Sequence, residues 1–264
     1  MTYTTIQFEQ EGPLGILSLN RPKALNSLSP GMKTELKDCL QRATDNESVR
    51  VLILTGEGRA FSAGGDLHNF KKSYEVWHSE GRDVSFADAN LPKAFIHFPK
   101  PIIAAINGAA VGFGLTVSLI CDIRIASDRS VFSCAFVRIG VSPEFGSSYF
   151  LPRIVGYGKA AELTMTAQTI DAAEALRIGL VNQVVPHAEL MSAAKEMATT
   201  ISQFPQEAIM MSKALLRHGY HSTLEQSIDY EGLTFRHLMR QKAHYETVCQ
   251  TIEALAAAKA KKEQ

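Results

Sequence analysis

The stretch KPIIAAINGAAVGFGLTVSLICDIRIAS, residues 100–127, constrains the fold more than any other. Its apolar run ends at Asn107-Gly108, a helix pattern rich in small residues follows, and CDIRIAS reads as a further strand. The same grammar occurs upstream and downstream. LGILSLN (14–20) is a short buried strand, Ser29-Pro30 is an N-cap with a first-turn proline, and Met32, Leu36, Leu40 and Ala43 recur at helical spacing. VRVLILTGEG (49–58) is a strand run into a glycine turn. TIDAAEALRIGLVNQVV (169–185) is a helix-to-strand unit, with Asp171 and Glu174 at capping-box spacing and Gly179 at the helix end. Strands and helices that alternate in this way predict an α/β domain with largely parallel strands.

From Pro186 onward the pattern is only helical, so the expected division is a core over residues 1–186 and a helical region over 187–264. Leu190, Ala194 and Met197 form one apolar stripe, and Ile209, Leu215 and Leu216 suggest another. Such a region packs on the core or on a neighbouring subunit; its last residues, ALAAAKAKKEQ, are expected to be solvated and to fray. Residues 67–98 break the rhythm, mixing charges with Phe70, Tyr74, Trp77, Phe86, Phe95 and Phe98. They read either as an exposed helix and loop with anchoring aromatics or as a mobile wall of an apolar ligand pocket.

Charge excludes some partners. Lys plus Arg equals Asp plus Glu, 27 each, so no global field recruits nucleic acid or an anionic membrane. No segment is apolar over the ~18 residues that a membrane span needs. MTYTTIQFEQEG lacks the charged and apolar regions of a signal peptide, and the four cysteines are widely spaced without a C-x-x-C. Both features are expected of a cytoplasmic protein with reduced thiols and no zinc site. No H-E-x-x-H, G-x-S-x-G, G-x-x-x-x-G-K-[ST] or strand-borne G-x-G-x-x-G occurs, and His218 with His221 reads as a surface pair.

Two glycine-rich turns remain, RAFSAGGDL (59–67) and NGAAVGFGL (107–115), each where a strand ends and a helix begins. Either alone is an ordinary tight turn. As a pair, they can offer two converging backbone N–H groups to the oxygen of a polarised carbonyl. Removing one such donor costs about 3 kcal/mol of transition-state binding.

The chain resembles the crotonase (enoyl-CoA hydratase/isomerase) superfamily through LNRPKALNSLS, VLILTGEGRAFSAGGDL, PIIAAINGAAVGFGLTVSLICDIRIAS and ALRIGLVNQVVP, in that order. The resemblance implies a spiral of repeated ββα units with a helical C-terminal trimerisation region, acyl-CoA thioester substrates, and homotrimers or dimers of trimers. It implies oxyanion donors at the N–H groups of Gly65 and Phe113. It implies CoA contacts along Lys23, Ala24, Leu25, Ala63 and Gly65. CoA is then part of the substrate, and no metal or redox cofactor is required.

Hydratases of this family use two glutamates, whose positions here are Thr116 and Phe136. Neither side chain can act as a carboxylate base. SPEFGSSYFLPRIVG is similar to the segment of Δ3,Δ2-enoyl-CoA isomerases with a single catalytic Glu, apart from Phe145 between Glu144 and Gly146. Glu144 accordingly has two readings that do not exclude each other. Ser142-Pro143-Glu144 is helix-start chemistry with an acidic first turn. Alternatively, Glu144 moves a proton from C2 to C4 of a 3-enoyl-CoA, giving the trans-2-enoyl-CoA. A hydratase and a non-catalytic acyl-CoA-binding scaffold are the rivals. Residues 67–98 and Phe235 are candidates to shape the acyl pocket.

Overall fold

The computed structural model describes residues 3–82 and 88–262. The chain opens with an antiparallel pair, β1 Ile6–Glu11 and β2 Leu14–Leu19. Helix α1, Pro30–Asp45, starts where cap chemistry requires: the Ser29 hydroxyl accepts the Met32 N–H at 3.2 Å, and Pro30 fills the first turn. Met32, Leu36, Leu40 and Ala43 lie buried on its inner face.

Each of the next three stretches gives one strand to a large sheet and one to a small sheet before a helix returns the chain. The first comprises β3 Val51–Gly56 and β4 Ala60–Ser62, followed by α2 Leu67–Glu80 and α3 Asn90–His97. The second comprises β5 Ile102–Ile106, β6 Ala109–Val111 and α4 Phe113–Ile120. The third comprises β7 Ile123–Ser127, β8 Val131–Ser133, α5 Ser147–Val155 and α6 Tyr157–Thr166. The last runs β9 Thr169–Asp171, α7 Ala172–Arg177 and β10 Gln183–Val185, and Asp171 caps α7 by accepting the Glu174 N–H at 2.8 Å. The large sheet has the order β1-β2-β3-β5-β7-β10 and the small one β4-β6-β8-β9. Only β1 with β2 and β8 with β9 pair antiparallel, so the expected ββα spiral is the observed architecture. Strands β2, β3 and β5 are buried along their whole length, as covered parallel strands are.

One expectation inside this core is corrected. The sequence places a helix directly after Asn107-Gly108, whereas β6 comes first and the helix waits until Phe113. Pairing of β6 with β4 and β8 outweighs the helical pattern of its small residues, and Gly112 at φ +50° makes the bend into α4.

The chain divides into two compact units, Met1–Thr200 and Ile201–Gln264. Most of α8, Leu190–Ser202, falls in the first. Its buried stripe is Leu190, Ala194 and Ala198; Met197, expected on that stripe, is 36% exposed. The second unit holds α9 Gln206–Gly219, α10 Leu224–Leu238 and α11 Lys242–Lys262. Leu216, read as part of an apolar stripe, is 74% exposed. In residues 67–98, Tyr74 and Trp77 face outward on α2, Phe95 and Phe98 are buried, and Phe86 lies outside the described residues. Among the described residues, no helix is long and apolar enough to cross a membrane.

Candidate active site

The two glycine turns meet because β4 and β6 are parallel neighbours, with Ser62 beside Ala110. Their approach leaves no room for side chains at two positions. A Cβ on Gly114 would lie 2.4 Å from the Ser62 carbonyl oxygen, and one on Gly64 would lie 3.1 Å from that of Val111. Gly64 also adopts φ +104°, a conformation only glycine takes comfortably. Gly65 and Phe113 thus stand on adjoining turns. The Gly65 N–H has no hydrogen-bond partner among the described residues, because the bridge to Leu28 uses Gly64 and Asp66 instead. The Phe113 N–H is likewise unpartnered there, since it begins α4 and has no residue a turn earlier to donate to.

The turn holding Lys23, Ala24 and Leu25 is fastened to the first of these turns. Pro22–Ala24 form one turn of 3-10 helix, and Leu25 and Asn26 follow in left-handed conformation at φ 48° and 55°. The Leu25 carbonyl accepts the Ala63 N–H at 2.9 Å, and the Leu28 N–H donates to Gly64 at 2.8 Å. All five residues singled out as CoA contacts therefore lie on two hydrogen-bonded segments; Lys23 is exposed, and Ala24, Leu25, Ala63 and Gly65 are half-buried.

Sequence reasoning missed Asn26, the organiser of this corner. Its buried amide donates to the carbonyls of Glu57 and Ala60 at 2.9 and 2.8 Å and accepts the Arg21 N–H at 2.8 Å. The Ser62 hydroxyl donates to the Asn26 carbonyl at 2.8 Å, and Arg21 pairs with Asp66 at 3.1 Å. An Asn four residues after Pro22 is the sequence signal for this role, because asparagine tolerates left-handed backbone.

Glu144 stands in a different setting from the one helix-start chemistry predicts. Residues 141–144 are irregular, a turn occupies 145–146, and α5 begins at Ser147 with Gly146 as its cap. The acidic-first-turn reading of Ser142-Pro143-Glu144 is corrected on that ground. The cause is local: Phe145 and Gly146 both adopt positive φ, 60° and 75°, and two successive left-handed residues cannot continue a right-handed helix. Phenylalanine in that conformation is strained, and packing holds it there. Its ring is buried edge-on against Phe113, with centroids 5.2 Å apart, and against Phe95 at 6.1 Å. The residue beside Glu144 is thus anchored on the ring of Phe113, the residue whose backbone N–H opens α4. The Ser147 N–H and hydroxyl both donate to the Glu144 carbonyl, at 3.1 and 2.7 Å, and fix the backbone of the acid.

Glu144 is an exposed residue, yet the protein atoms around its carboxyl dehydrate it enough to push its pKa above the ordinary carboxylate value. The Lys33 ammonium opposes the shift. Lys33 is itself buried near the start of α1, and desolvation lowers its pKa against the pull of Asp88 and Glu144.

The two positions that the family resemblance assigns to the hydratase glutamates hold groups without a carboxylate. Thr116 is fully buried on α4, where its hydroxyl donates to the Phe113 carbonyl at 3.3 Å, and Phe136 is part of the core. Among the described residues, no three His, Cys, Asp or Glu side chains gather as metal ligands, and Cys39, Cys121, Cys134 and Cys249 are free thiols.

Residues 9–258 match the family profile described as "Enoyl-CoA hydratase/isomerase". The short-chain-enoyl-CoA hydratase of Clostridium acetobutylicum is 37% identical over 236 residues, covering 89% of this chain and 89% of that one. The crystal structure of an enoyl-CoA hydratase from Bacillus anthracis matches with a TM-score of 0.87 at 31% identity, over 95% of this chain and 97% of the other. That of a monofunctional enoyl CoA isomerase from M. smegmatis matches with a TM-score of 0.72 at 34% identity, over 85% and 98%.

Proposed function

We propose, because the chain belongs to the enoyl-CoA hydratase/isomerase family, that it converts a 3-enoyl-CoA to the trans-2-enoyl-CoA with Glu144 as its one acid–base group. The observation that carries this is the seat of Glu144: its neighbour Phe145 is docked on Phe113, while both hydratase positions lack a carboxylate. The thioester oxygen would lie on the N–H groups of Gly65 and Phe113, and CoA along Lys23, Ala24, Leu25 and Ala63. Polarisation of that carbonyl acidifies C2. Glu144 takes the C2 proton, the negative charge spreads onto the oxygen held by the two N–H groups, and the same carboxyl returns a proton to C4. A raised carboxyl pKa suits both halves, because it strengthens the base and keeps its conjugate acid within reach of neutral pH. The shift is redox-neutral and moves one proton, so it consumes no cofactor.

Hydration is the second reading, and the names of several relatives favour it. Assays with 3-hexenoyl-CoA and with crotonyl-CoA separate the two. Isomerisation should dominate, and Glu144→Gln should lower its kcat by about 10²–10⁴-fold. Strong hydration of crotonyl-CoA that survives this substitution would overturn the assignment. Acyl-CoA binding without turnover of either compound would instead support a non-catalytic scaffold.

Self-assembly is part of the same proposal. Leu224, Ile228, Phe235 and Met239 lie at helical spacing on one face of α10 and just past its end, each more than half exposed. A stripe of that kind is covered by another chain more often than by water, which supports a homotrimer or a dimer of trimers.

A further inference from the structure

Gly65 and Phe70 meet in a contact that none of the steps above uses. A Cβ on Gly65 would lie 2.4 Å from Cε2 and 2.7 Å from Cζ of Phe70. One carbon–carbon bond separates Cβ from Cα, so the ring edge is within about 4 Å of the Gly65 Cα. Gly65, unlike Gly64, does not adopt positive φ, so its backbone angles do not require glycine. The ring of Phe70 does.

Helix geometry puts the ring there. Asp66 caps α2 by accepting the His68 N–H at 3.1 Å, and the Phe70 N–H donates to the Asp66 carbonyl at 3.2 Å. Helical side chains lean toward the N-terminus, so a residue in the first turn of α2 covers the chain just ahead of it. Asp66 also pairs with Arg21, which ties this first turn to the corner that Asn26 organises. No residue of α2 is fully buried, and Phe70 is half-buried, so its ring serves this contact rather than the core.

The opposite side of the turn is held by hydrogen bonds. The Gly64 carbonyl accepts the Leu28 N–H at 2.8 Å, and the Asp66 N–H donates to the Leu28 carbonyl at 3.3 Å. A trans peptide sets its N–H opposite its carbonyl, so the first of these bonds aims the Gly65 N–H away from Leu28. Glycine has no side chain with which to pack the other side, and the Phe70 ring supplies that surface. A donor stabilises developing charge most when its direction is fixed beforehand.

We infer that Phe70 is a positioning residue for the first glycine turn: its ring, seated on the Gly65 Cα, holds the Gly65 N–H in direction and reserves position 65 for glycine. The inference deepens the proposed function and rests on the Gly65 N–H donating to the thioester oxygen. Phe70→Ala, Gly65→Ala and the double variant test it by kcat and KM with 3-hexenoyl-CoA. A second measurement needs no turnover. It is the pH at which saturating, bound acetoacetyl-CoA ionises to its enolate, followed by ultraviolet absorbance, since weaker oxyanion donors raise that pH.

Phe70→Ala should lower kcat about tenfold with KM changed by less than about threefold, and should raise the ionisation pH by about one unit. Gly65→Ala should cost about 10²–10³ in kcat, because its methyl group meets the ring and displaces the donor. The double variant should match Phe70→Ala alone, since the ring that excludes the methyl group is gone. A fully active Gly65→Ala protein, or a double variant no better than Gly65→Ala, overturns the inference. So does a Phe70→Ala protein altered only in KM or in melting temperature, and this arm decides the matter if Gly65→Ala does not fold. Shifts in ionisation pH of the expected pattern, without turnover of 3-hexenoyl-CoA by the wild type, support the inference and overturn the isomerase reading. Turnover with an ionisation pH indifferent to all three variants does the reverse.

Discussion

Glu144 is held where its charged form is disfavoured, and the sign of that effect can be measured. Its pKa is raised in the folded state from the ordinary 4.5, so between the two values the native protein binds more protons than the unfolded one. Stability contributed by this group therefore falls as pH rises through that interval and stays reduced above it. Glu144→Gln removes the ionisation. Its melting temperature should equal or exceed that of the wild type at neutral pH, and the difference should shrink as the pH is taken below 4.5. Under the proposed mechanism activity runs the other way, since only the ionised carboxyl would abstract a proton. The acidic limb of kcat/KM should lie above the ordinary carboxylate value. A limb at or below 4.5, or a Glu144→Gln protein less stable at neutral pH, would contradict this electrostatic account.

At the scale of elements, the site depends on how closely two strand-to-helix turns approach. Gly114 lies against the backbone of Ser62, and a Cβ added there would meet the Ser62 carbonyl oxygen at 2.4 Å, a clash that rotating a side chain cannot relieve. Gly114→Ala should push the second turn away from the first, at about 1–3 kcal/mol of stability. The larger effect should be catalytic if Gly65 and Phe113 are the proposed oxyanion donors, because separating them would remove one donor, worth about 10²–10³ in kcat. Thermal unfolding and kcat on the same preparation check both, and a variant with full activity would show that the approach of the turns is not needed. The left-handed Phe145 is the companion device. Its ring transmits the position of α4 and α3 to the loop that carries the acid.

For the whole molecule, the exposed face of α10 is the feature that a single chain leaves unexplained. Light scattering should return three or six chain masses for the wild type, and Phe235→Asp together with Ile228→Asp should lower that number while the ββα core stays folded. A monodisperse wild-type monomer would remove the proposed assembly. The wider architecture was legible in the sequence, because apolar runs, caps and glycine turns obey local rules: Ser29 caps α1, Asp171 caps α7, and the runs at 14–20, 49–58 and 100–127 each hold a strand. The short β6 and the true start of α5 were not legible. The first depends on partners elsewhere in the chain, and the second on two backbone angles that phenylalanine does not advertise.

The sequence by itself determined an α/β core with largely parallel strands, the pair of glycine turns and the lack of a carboxylate at Thr116 and Phe136. Each follows from residue identity, from the spacing of apolar groups, or from sterics within a few residues, which is information a linear chain carries. Only the tertiary structure decided that Asn26 ties three segments together, that Phe145 docks on Phe113 beside Glu144, and that Lys33 of α1 feels the charge of Glu144. These are contacts between residues distant along the chain. Packing selects them from many that the same local pattern allows.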